Sequence, residues 1–164
     1  TLIKVLTGLY PLAAGELLLN GKPIGNSELT ALRQNFSLIT SDFHLFGRLY
    51  GYENVEPAFV AKLIDKMQLN DKVSFADGAF STKALSTGQK KRLAMITALV
   101  EDNAIYVFDE WAAEQDPYFR SVFYTEIVPE LRAKGKTVIA ITHDDFYFDH
   151  ADSVIQLDYG KISE

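Results

Sequence analysis

Apolar positions in the first part of the chain predict short elements of alternating type. Residues 2–9 have the spacing of a short helix, and residues 16–20 followed by Gly21 are typical of a strand that enters a turn. Ser27 is predicted to cap a second helix. Residues 36–40 are apolar and β-branched at their end, which favours a strand.

Two longer helices are predicted in the middle of the chain. Between residues 57 and 75, apolar side chains fall at helical spacing with charged residues between them, which indicates an amphipathic helix. A second helix is predicted over residues 87–101, where Ser86 and Gln89 form a capping-box pair at its start. We expect these two helices to pack against each other.

The last third of the chain alternates strand, helix and strand. Residues 104–108 and 137–141 are continuous apolar runs of the kind that a parallel sheet buries on both faces. The helix between them is predicted to begin near Pro117 and to kink or restart at Pro129, because proline lacks a backbone donor. Two short strands, over residues 152–157 and 160–162, are predicted to close this α/β pattern.

Composition limits the functional classes. The chain has 164 residues, 48% of them apolar and 23% charged, which suits one well-packed domain and is too few for two. Sixteen basic residues against 22 acidic ones give a net charge of -6, which argues against a surface that neutralises a nucleic-acid backbone. The lack of cysteine excludes disulfides, and the apolar runs are far shorter than the roughly 20 residues that span a bilayer.

The segment 85–94, of sequence LSTGQKKRLA, places a hydroxyl and a glycine at the start of a predicted helix. The unpaired N–H groups of a helix N-terminus favour a phosphate, Gly88 permits close approach, and the Ser86 hydroxyl can donate a further hydrogen bond. The alternative is that Ser86 only caps the helix, since serine followed by glutamine three residues later is common at helix starts.

Two predicted strands end in polar groups. Asp109 and Glu110 follow one strand, and there one carboxylate can hold Mg²⁺ through water while the other orients or deprotonates an attacking water. His143 follows the other strand and can donate a hydrogen bond to a phosphate oxygen. Each motif alone has a structural alternative: a turn or helix cap for the acidic pair, and a solvent-facing role for the histidine.

Taken together and in this order, the three motifs resemble those of the ABC ATPase family. In that resemblance, segment 85–89 is the signature sequence, with Thr87 in place of a family glycine. The resemblance assigns nucleotide binding to Ser86, Thr87, Gly88 and Gln89, catalysis to Glu110 of Walker B and the switch His143, Mg²⁺ to Asp109 with Ser41 as a second candidate ligand, and the D-loop to Asp116.

The same resemblance implies a P-loop NTPase-like α/β domain, in which a mostly parallel sheet carries helices on both faces. A helical signature subdomain is expected at about residues 50–100. Residues 1–4 resemble the segment just after a Walker A loop, so residues 1–164 are expected to form a truncated domain without its first core strand. Without the loop amides and lysine that hold the α- and β-phosphates, this piece alone is expected to be inactive.

Two departures from the family pattern point to one branch. Ser41 and Asp42 stand where the family usually carries the Q-loop glutamine, and Trp111 follows Walker B where most relatives begin a Pro-Thr-Ser run. Together with the Ser-Thr-Gly-Gln-Lys-Lys form of the signature, these residues resemble exporters of cyclic peptides and siderophore precursors, of the syringomycin and pyoverdine type.

For an intact parent, the resemblance implies an ATPase that couples hydrolysis of MgATP to export. The expected partners are a second ATPase domain and a membrane-spanning domain of the same polypeptide, which binds the exported small molecule or peptide. The ATPase domain is expected at the cytoplasmic face of the inner membrane, and residues 1–164 alone are expected to be soluble. No nucleic-acid partner is expected.

Other functional classes remain open from the sequence. A DNA-repair or chromosome-maintenance ATPase also has a signature helix but needs a long coiled coil, and no heptad run precedes Leu85. A soluble translation-type ABC protein has a second ATPase domain in place of a membrane domain, and only upstream residues distinguish it. A non-catalytic module from a decayed ATPase is disfavoured by the retention of Asp109, Glu110 and His143.

Overall fold

The computed structural model describes residues 1–52, 54–82 and 84–163. In these ranges the helices are α1 (Leu2–Leu6), α2 (Leu29–Arg33), α3 (Pro57–Lys66), α4 (Thr87–Glu101), α5 (Pro117–Val122) and α6 (Val128–Ala133). The strands are β1 (Leu18–Leu19), β2 (Lys22–Pro23), β3 (Phe36–Ile39), β4 (Val73–Ala76), β5 (Ala79–Thr82), β6 (Ile105–Asp109), β7 (Thr137–Ile141), β8 (Leu157–Asp158) and β9 (Lys161–Ile162). Across the described ranges, no helix has the length and apolar character needed to cross a membrane.

The central sheet is parallel and has the order β3-β6-β7, with β6 in the middle. Ile39 pairs with Phe108 on one side, and Asp109 pairs with Ile141 on the other. The carboxyl ends of all three strands therefore meet at one edge of the sheet. This edge is where ligands bind in open parallel sheets, because loops and helix starts converge there.

The helix after β6 is interrupted as predicted. A π-helical turn over Phe123–Ile127 separates α5 from α6, and Pro129 lies in the first turn of α6. The Val128 N–H donates to the Phe123 carbonyl, so helical hydrogen bonding continues up to Pro129, which has no backbone N–H to donate.

An aromatic cluster fills the space between β6 and the helix that follows it. The Trp111 ring stacks on Phe123 with the ring centroids 4.7 Å apart, and Phe123 meets Phe108 edge-on at 5.2 Å. Trp111 is 1% exposed, and the centroid of the Phe119 ring lies 6.2 Å from that of Trp111. This packing fixes the backbone that directly follows the strand.

Helices α3 and α4 pack against each other as predicted, but the chain between them does not continue as a helix. The predicted helix over residues 57–75 ends at Lys66, and Gln68 has a left-handed backbone with φ of 54°. Strands β4 and β5 then form an antiparallel hairpin inside the expected helical subdomain. Asp77 and Gly78 both have positive φ, as a two-residue hairpin turn requires.

Two further predictions of element ends are wrong. Ser27 does not cap a helix but lies inside a 3₁₀ turn, where the Gly25 N–H donates to the Glu28 carboxylate at 2.9 Å. The strand expected from residue 152 is confined to Leu157–Asp158. At residues 25–28 a short local turn, stabilised by a side chain near in sequence, replaces the regular element.

Glu101, the last residue of α4, offers a test of the packing between α4 and β3. Burial raises the pKa of its carboxyl above the ordinary value, although a hydrogen bond from the Ser37 hydroxyl at 2.8 Å partly opposes the shift. A raised folded-state pKa means that stability is lost as the pH rises through it. Glu101→Gln is therefore expected to raise the melting temperature at neutral pH, and the gain should disappear as the pH falls below the folded-state pKa. An unchanged or lower melting temperature at pH 7 would contradict this.

Candidate functional site

The N-terminus of α4 is capped as the sequence predicts. The Ser86 hydroxyl oxygen accepts a hydrogen bond from the Gln89 N–H at 3.3 Å, and the Gln89 side-chain oxygen accepts one from the Ser86 N–H at 3.1 Å. Ser86 and Thr87 are exposed. Because the Ser86 oxygen accepts in the cap, its own O–H proton remains available to a ligand.

Gly88 packs directly against the segment that follows β6. A Cβ atom at this position would lie 2.7 Å from the Glu114 carbonyl oxygen, and the Gln115 side chain donates to the Gly88 carbonyl at 3.2 Å. The glycine is therefore required here for close approach between two backbones.

Gly88→Ala is expected to destabilise the protein by about 1–3 kcal/mol, despite the better helix propensity of alanine, because the clash is with backbone. Gly47→Ala is the matched control, since nothing lies within 4 Å of a Cβ atom there. Urea unfolding of both variants checks this. Equal midpoints for the two would show that the start of α4 is loosely held.

The carboxyl end of β6 carries the two acidic residues. Asp109 is the last residue of the strand, and Glu110 adopts a left-handed backbone with φ of 52°, its N–H donating to the Ile141 carbonyl at 3.0 Å. The Glu110 Oε1 lies 3.7 Å from His143 Nε2, and these side chains are 47% and 92% exposed. At this separation the two groups are adjacent without a hydrogen bond between them.

The residues on either side of His143 are held by hydrogen bonds in the turn after β7. The Tyr124 hydroxyl donates to Thr142 Oγ1 at 2.8 Å, and the Asp144 N–H donates to the same oxygen at 3.0 Å. Burial raises the pKa of Tyr124 to about 12, so the phenol keeps its proton well into the alkaline range. The sequence does not predict the hydrogen bond from Tyr124 to Thr142, because nothing distinguishes Tyr124 from the other aromatic residues of this helix.

Ser41 lies on the same edge of the sheet, two residues after the end of β3, and is exposed. Beside it, the Thr40 side chain donates a hydrogen bond to Asp42, and the Lys4 ammonium lies 3.9 Å away. These contacts lower the pKa of the Asp42 carboxyl below its ordinary value. The edge thus carries a fixed negative charge beside Ser41.

Asp116 caps α5, with its carboxylate accepting the Phe119 N–H at 2.9 Å. That backbone hydrogen bond, with a smaller contribution from Arg92, lowers the pKa of the Asp116 carboxyl. Arg92 also donates to the Gln115 side chain at 2.9 Å, and its guanidinium lies 3.6 Å from the Phe119 ring centroid. The D-loop candidate is thus tied to the signature helix.

Two residues of this network, Lys91 and Arg92, were missed from the sequence. Both are buried, at 1% and 9% exposure. Arg92 falls at i and i+4 spacing with Ile96 on the buried face of α4, so helical periodicity gave a signal for it. The spacing of residues along the chain does not predict that their partners are Glu110 and Gln115, in the segment after β6.

The acidic residues at this edge of the sheet suit Mg²⁺ only if phosphate oxygens of a nucleotide supply further ligands. Within the described ranges, no group of three or more acidic, histidine or cysteine residues can hold a metal ion. Mg²⁺ usually keeps several waters and binds one or two carboxylates together with substrate phosphates. Asp109, at the open end of β6, fits that mode of binding.

Comparison with known proteins identifies the family of the chain. Residues 1–113 match the ABC transporter family model. The chain is 45% identical over 166 residues to the ATP-binding protein SyrD of Pseudomonas syringae pv. syringae, covering 99% of this chain and 29% of SyrD. It is 29% identical to the ATP-dependent lipid A-core flippase of Hahella chejuensis, covering 100% of this chain and 30% of the flippase.

Solved structures have the same fold. A bacterial Atm1-family ABC exporter with ATP bound superimposes with a TM-score of 0.80 at 24% identity, over 99% of this chain and 30% of that one. The cbiO1 protein of Clostridium perfringens superimposes with a TM-score of 0.76 at 23% identity, over 99% of this chain and 70% of that one. The chain thus spans under a third of SyrD and of the flippase. It belongs to the ABC transporter family.

Proposed function

We propose that this chain is part of the ATP-binding and hydrolysing domain of an ABC exporter, which couples turnover of MgATP to transport across a membrane. The observation that carries the proposal is the position of Glu110 and His143, whose side chains lie 3.7 Å apart at the carboxyl edge of a parallel sheet. That edge is where a nucleotide phosphate binds in folds of this kind.

The acidic and imidazole groups have complementary roles in this proposal. Glu110 is half exposed and can orient and polarise a water for attack on the terminal phosphate. His143 can donate a hydrogen bond to an oxygen of the same phosphate. Mg²⁺ bound near Asp109 would neutralise charge on the phosphates.

The start of α4 completes the site across two copies of the domain. Ser86, Thr87, Gly88 and Gln89 form an exposed or half-exposed helix start with a free hydroxyl donor, on a helix of 15 residues. We expect this start to bind the terminal phosphate held by the opposite copy, so that two ATP molecules lie between two domains. In this proposal Asp116 is the aspartate of the D-loop. Ser41 is a second candidate ligand of Mg²⁺.

The transport role and its substrate class rest on the comparisons and on the sequence. The similarity to a lipid A-core flippase, of which this chain spans 30%, supports a membrane-spanning domain in the same polypeptide. Trp111 and the signature of sequence STGQKK support a peptide-like or siderophore-type substrate, bound by the membrane domain. We accordingly place the domain at the cytoplasmic face of the inner membrane.

The test uses the full-length protein reconstituted in lipid vesicles. Phosphate release is expected with MgATP and not with ATP and excess EDTA, and export into the vesicles of a cyclic peptide or siderophore precursor should require hydrolysis. Turnover without transport of any such compound, in a full-length protein without membrane spans, would favour a non-transport ABC ATPase instead.

A further inference from the structure

Lys91 is buried where α4, the helix that begins with the signature sequence, contacts the segment that follows β6. Lys91 lies one turn into α4 and is 1% exposed, yet its side chain ends in an ammonium group. Burial of an unpaired ammonium is costly, so its contacts are informative. The ammonium donates a hydrogen bond to the backbone carbonyl of Glu110 at 2.8 Å.

The carbonyl that Lys91 binds belongs to a residue in an unusual conformation. Glu110 has φ of 52°, in the left-handed region that residues other than glycine seldom adopt. Such a conformation persists only where the surroundings hold it. Here the Glu110 N–H donates to the Ile141 carbonyl at 3.0 Å, while Lys91 holds the carbonyl on the other side of the same residue.

The contact between the two elements is reciprocal. The Trp111 indole N–H donates to the Lys91 carbonyl at 3.0 Å, and the Glu114 carboxylate lies 3.8 Å from the Lys91 ammonium. Lys91 is thus joined on both its backbone and its side chain to the five residues that follow β6. A shift of the α4 start would be transmitted to Glu110 through these bonds.

We infer that Lys91 is a positioning residue for Glu110. It holds the carbonyl of Glu110 so that the left-handed backbone directs the carboxylate towards His143. This inference rests on the proposed function and extends it. Because the start of α4 would contact the phosphate bound by the opposite copy, Lys91 links each signature helix to the catalytic glutamate of its own copy.

Replacement of Lys91 by methionine separates positioning from a merely structural role. Methionine has a similar length and no charge, and the Glu114 carboxylate that loses its partner is 44% exposed, so water can solvate it in place of the ammonium. A structural role would therefore show itself in stability. A positioning role shows itself in turnover, because a small misplacement of a catalytic group can cost up to about 100-fold in rate.

The kinetic experiment compares Lys91→Met with Lys90→Met, which removes the same charge from the neighbouring exposed position. In the full-length protein, Lys91→Met is expected to lower kcat at least about tenfold with KM for ATP and the melting temperature unchanged, whereas Lys90→Met leaves all three unchanged. Lys91→Gln, which keeps a shorter neutral donor, should recover part of the loss. A wild-type kcat in Lys91→Met, or a loss that follows a lower melting temperature in all variants, overturns the inference.

A second experiment is independent of ATP turnover. Hydrogen exchange of the nucleotide-free full-length protein is followed by mass spectrometry in peptides that cover residues 105–116. Faster exchange of the Glu110 amide in Lys91→Met than in Lys90→Met is expected, because its bond to Ile141 depends on the held conformation. Equal exchange in both variants overturns the inference. If the wild-type protein hydrolyses no ATP, the proposed function fails, and this exchange difference still decides whether Lys91 holds Glu110.

Discussion

Glu110→Gln in the full-length protein is expected to reduce ATP turnover by at least about 100-fold and to leave ATP binding intact. Glutamine has nearly the same shape, so the backbone at φ of 52° and its hydrogen bond to Ile141 are retained. The substitution removes the negative charge that polarises the attacking water. Phosphate release and binding of a fluorescent ATP analogue measure the two effects separately.

The control for this substitution is Glu126→Gln, an exposed carboxylate on the π-helical turn. It removes the same charge from an exposed side chain outside the three motifs, and full activity is expected. A Glu110→Gln protein that turns over at the wild-type rate would remove Glu110 from the mechanism.

Trp111→Ala is expected to destabilise the protein by about 3–5 kcal/mol, the usual cost of removing a large buried aromatic side chain. Trp111 is 1% exposed, stacks on Phe123 at 4.7 Å and donates to the Lys91 carbonyl at 3.0 Å. Such a loss is a large part of the stability of a domain of this size. Urea unfolding followed by circular dichroism measures it.

Tyr118→Ala provides the matched control, since this nearby aromatic side chain is 63% exposed. A change of less than about 0.5 kcal/mol is expected there. If Trp111→Ala were as stable as Tyr118→Ala, the aromatic cluster would not fix the segment that follows β6, and the transmission from Lys91 to Glu110 would lose its support.

Elements with a strong local pattern were predictable from the sequence. The bounds of α4 and β7 are those predicted, because a capping box marks the start of α4 and an apolar run covers β7. The two strand ends with polar residues also lie on one edge, because β6 and β7 pair in parallel. The expectation that both runs are buried on both faces is met by β6 but not by β7, in which Thr137 and Ala140 are exposed and the other residues are half-buried. The functional roles of Asp109, Glu110 and His143 stay predictions.

The hairpin of β4 and β5 was missed although its turn has a recognisable sequence. Asp77 and Gly78 form the Asp-Gly pair that favours a two-residue turn, with apolar residues on both sides. The helical spacing of apolar residues before residue 75 predicts a helix that runs up to this turn, and so conceals the first strand of the hairpin. The left-handed backbone at Gln68, which ends the helix, has no local sequence signal.

The contacts that join α4 to the segment after β6 could not be predicted from the sequence. Helical spacing with Ile96 indicates burial of Arg92 but not its partner, and no local pattern indicates burial of Lys91. The partners of both residues lie about 20 residues away in sequence. Only the tertiary contact between α4 and the segment that follows β6 brings them together. This tertiary network, and not the motifs themselves, determines how Glu110 is held.

The central claim is that Glu110 and His143 of one copy and Ser86 of another surround the terminal phosphate of one ATP. The most direct test is a structure of the full-length Glu110→Gln protein with MgATP. We expect the terminal phosphate within about 3 Å of His143 in one copy and of Ser86 in the other. An ATP molecule bound away from the carboxyl edge of the sheet, or with no contact to Ser86 of either copy, would contradict the account.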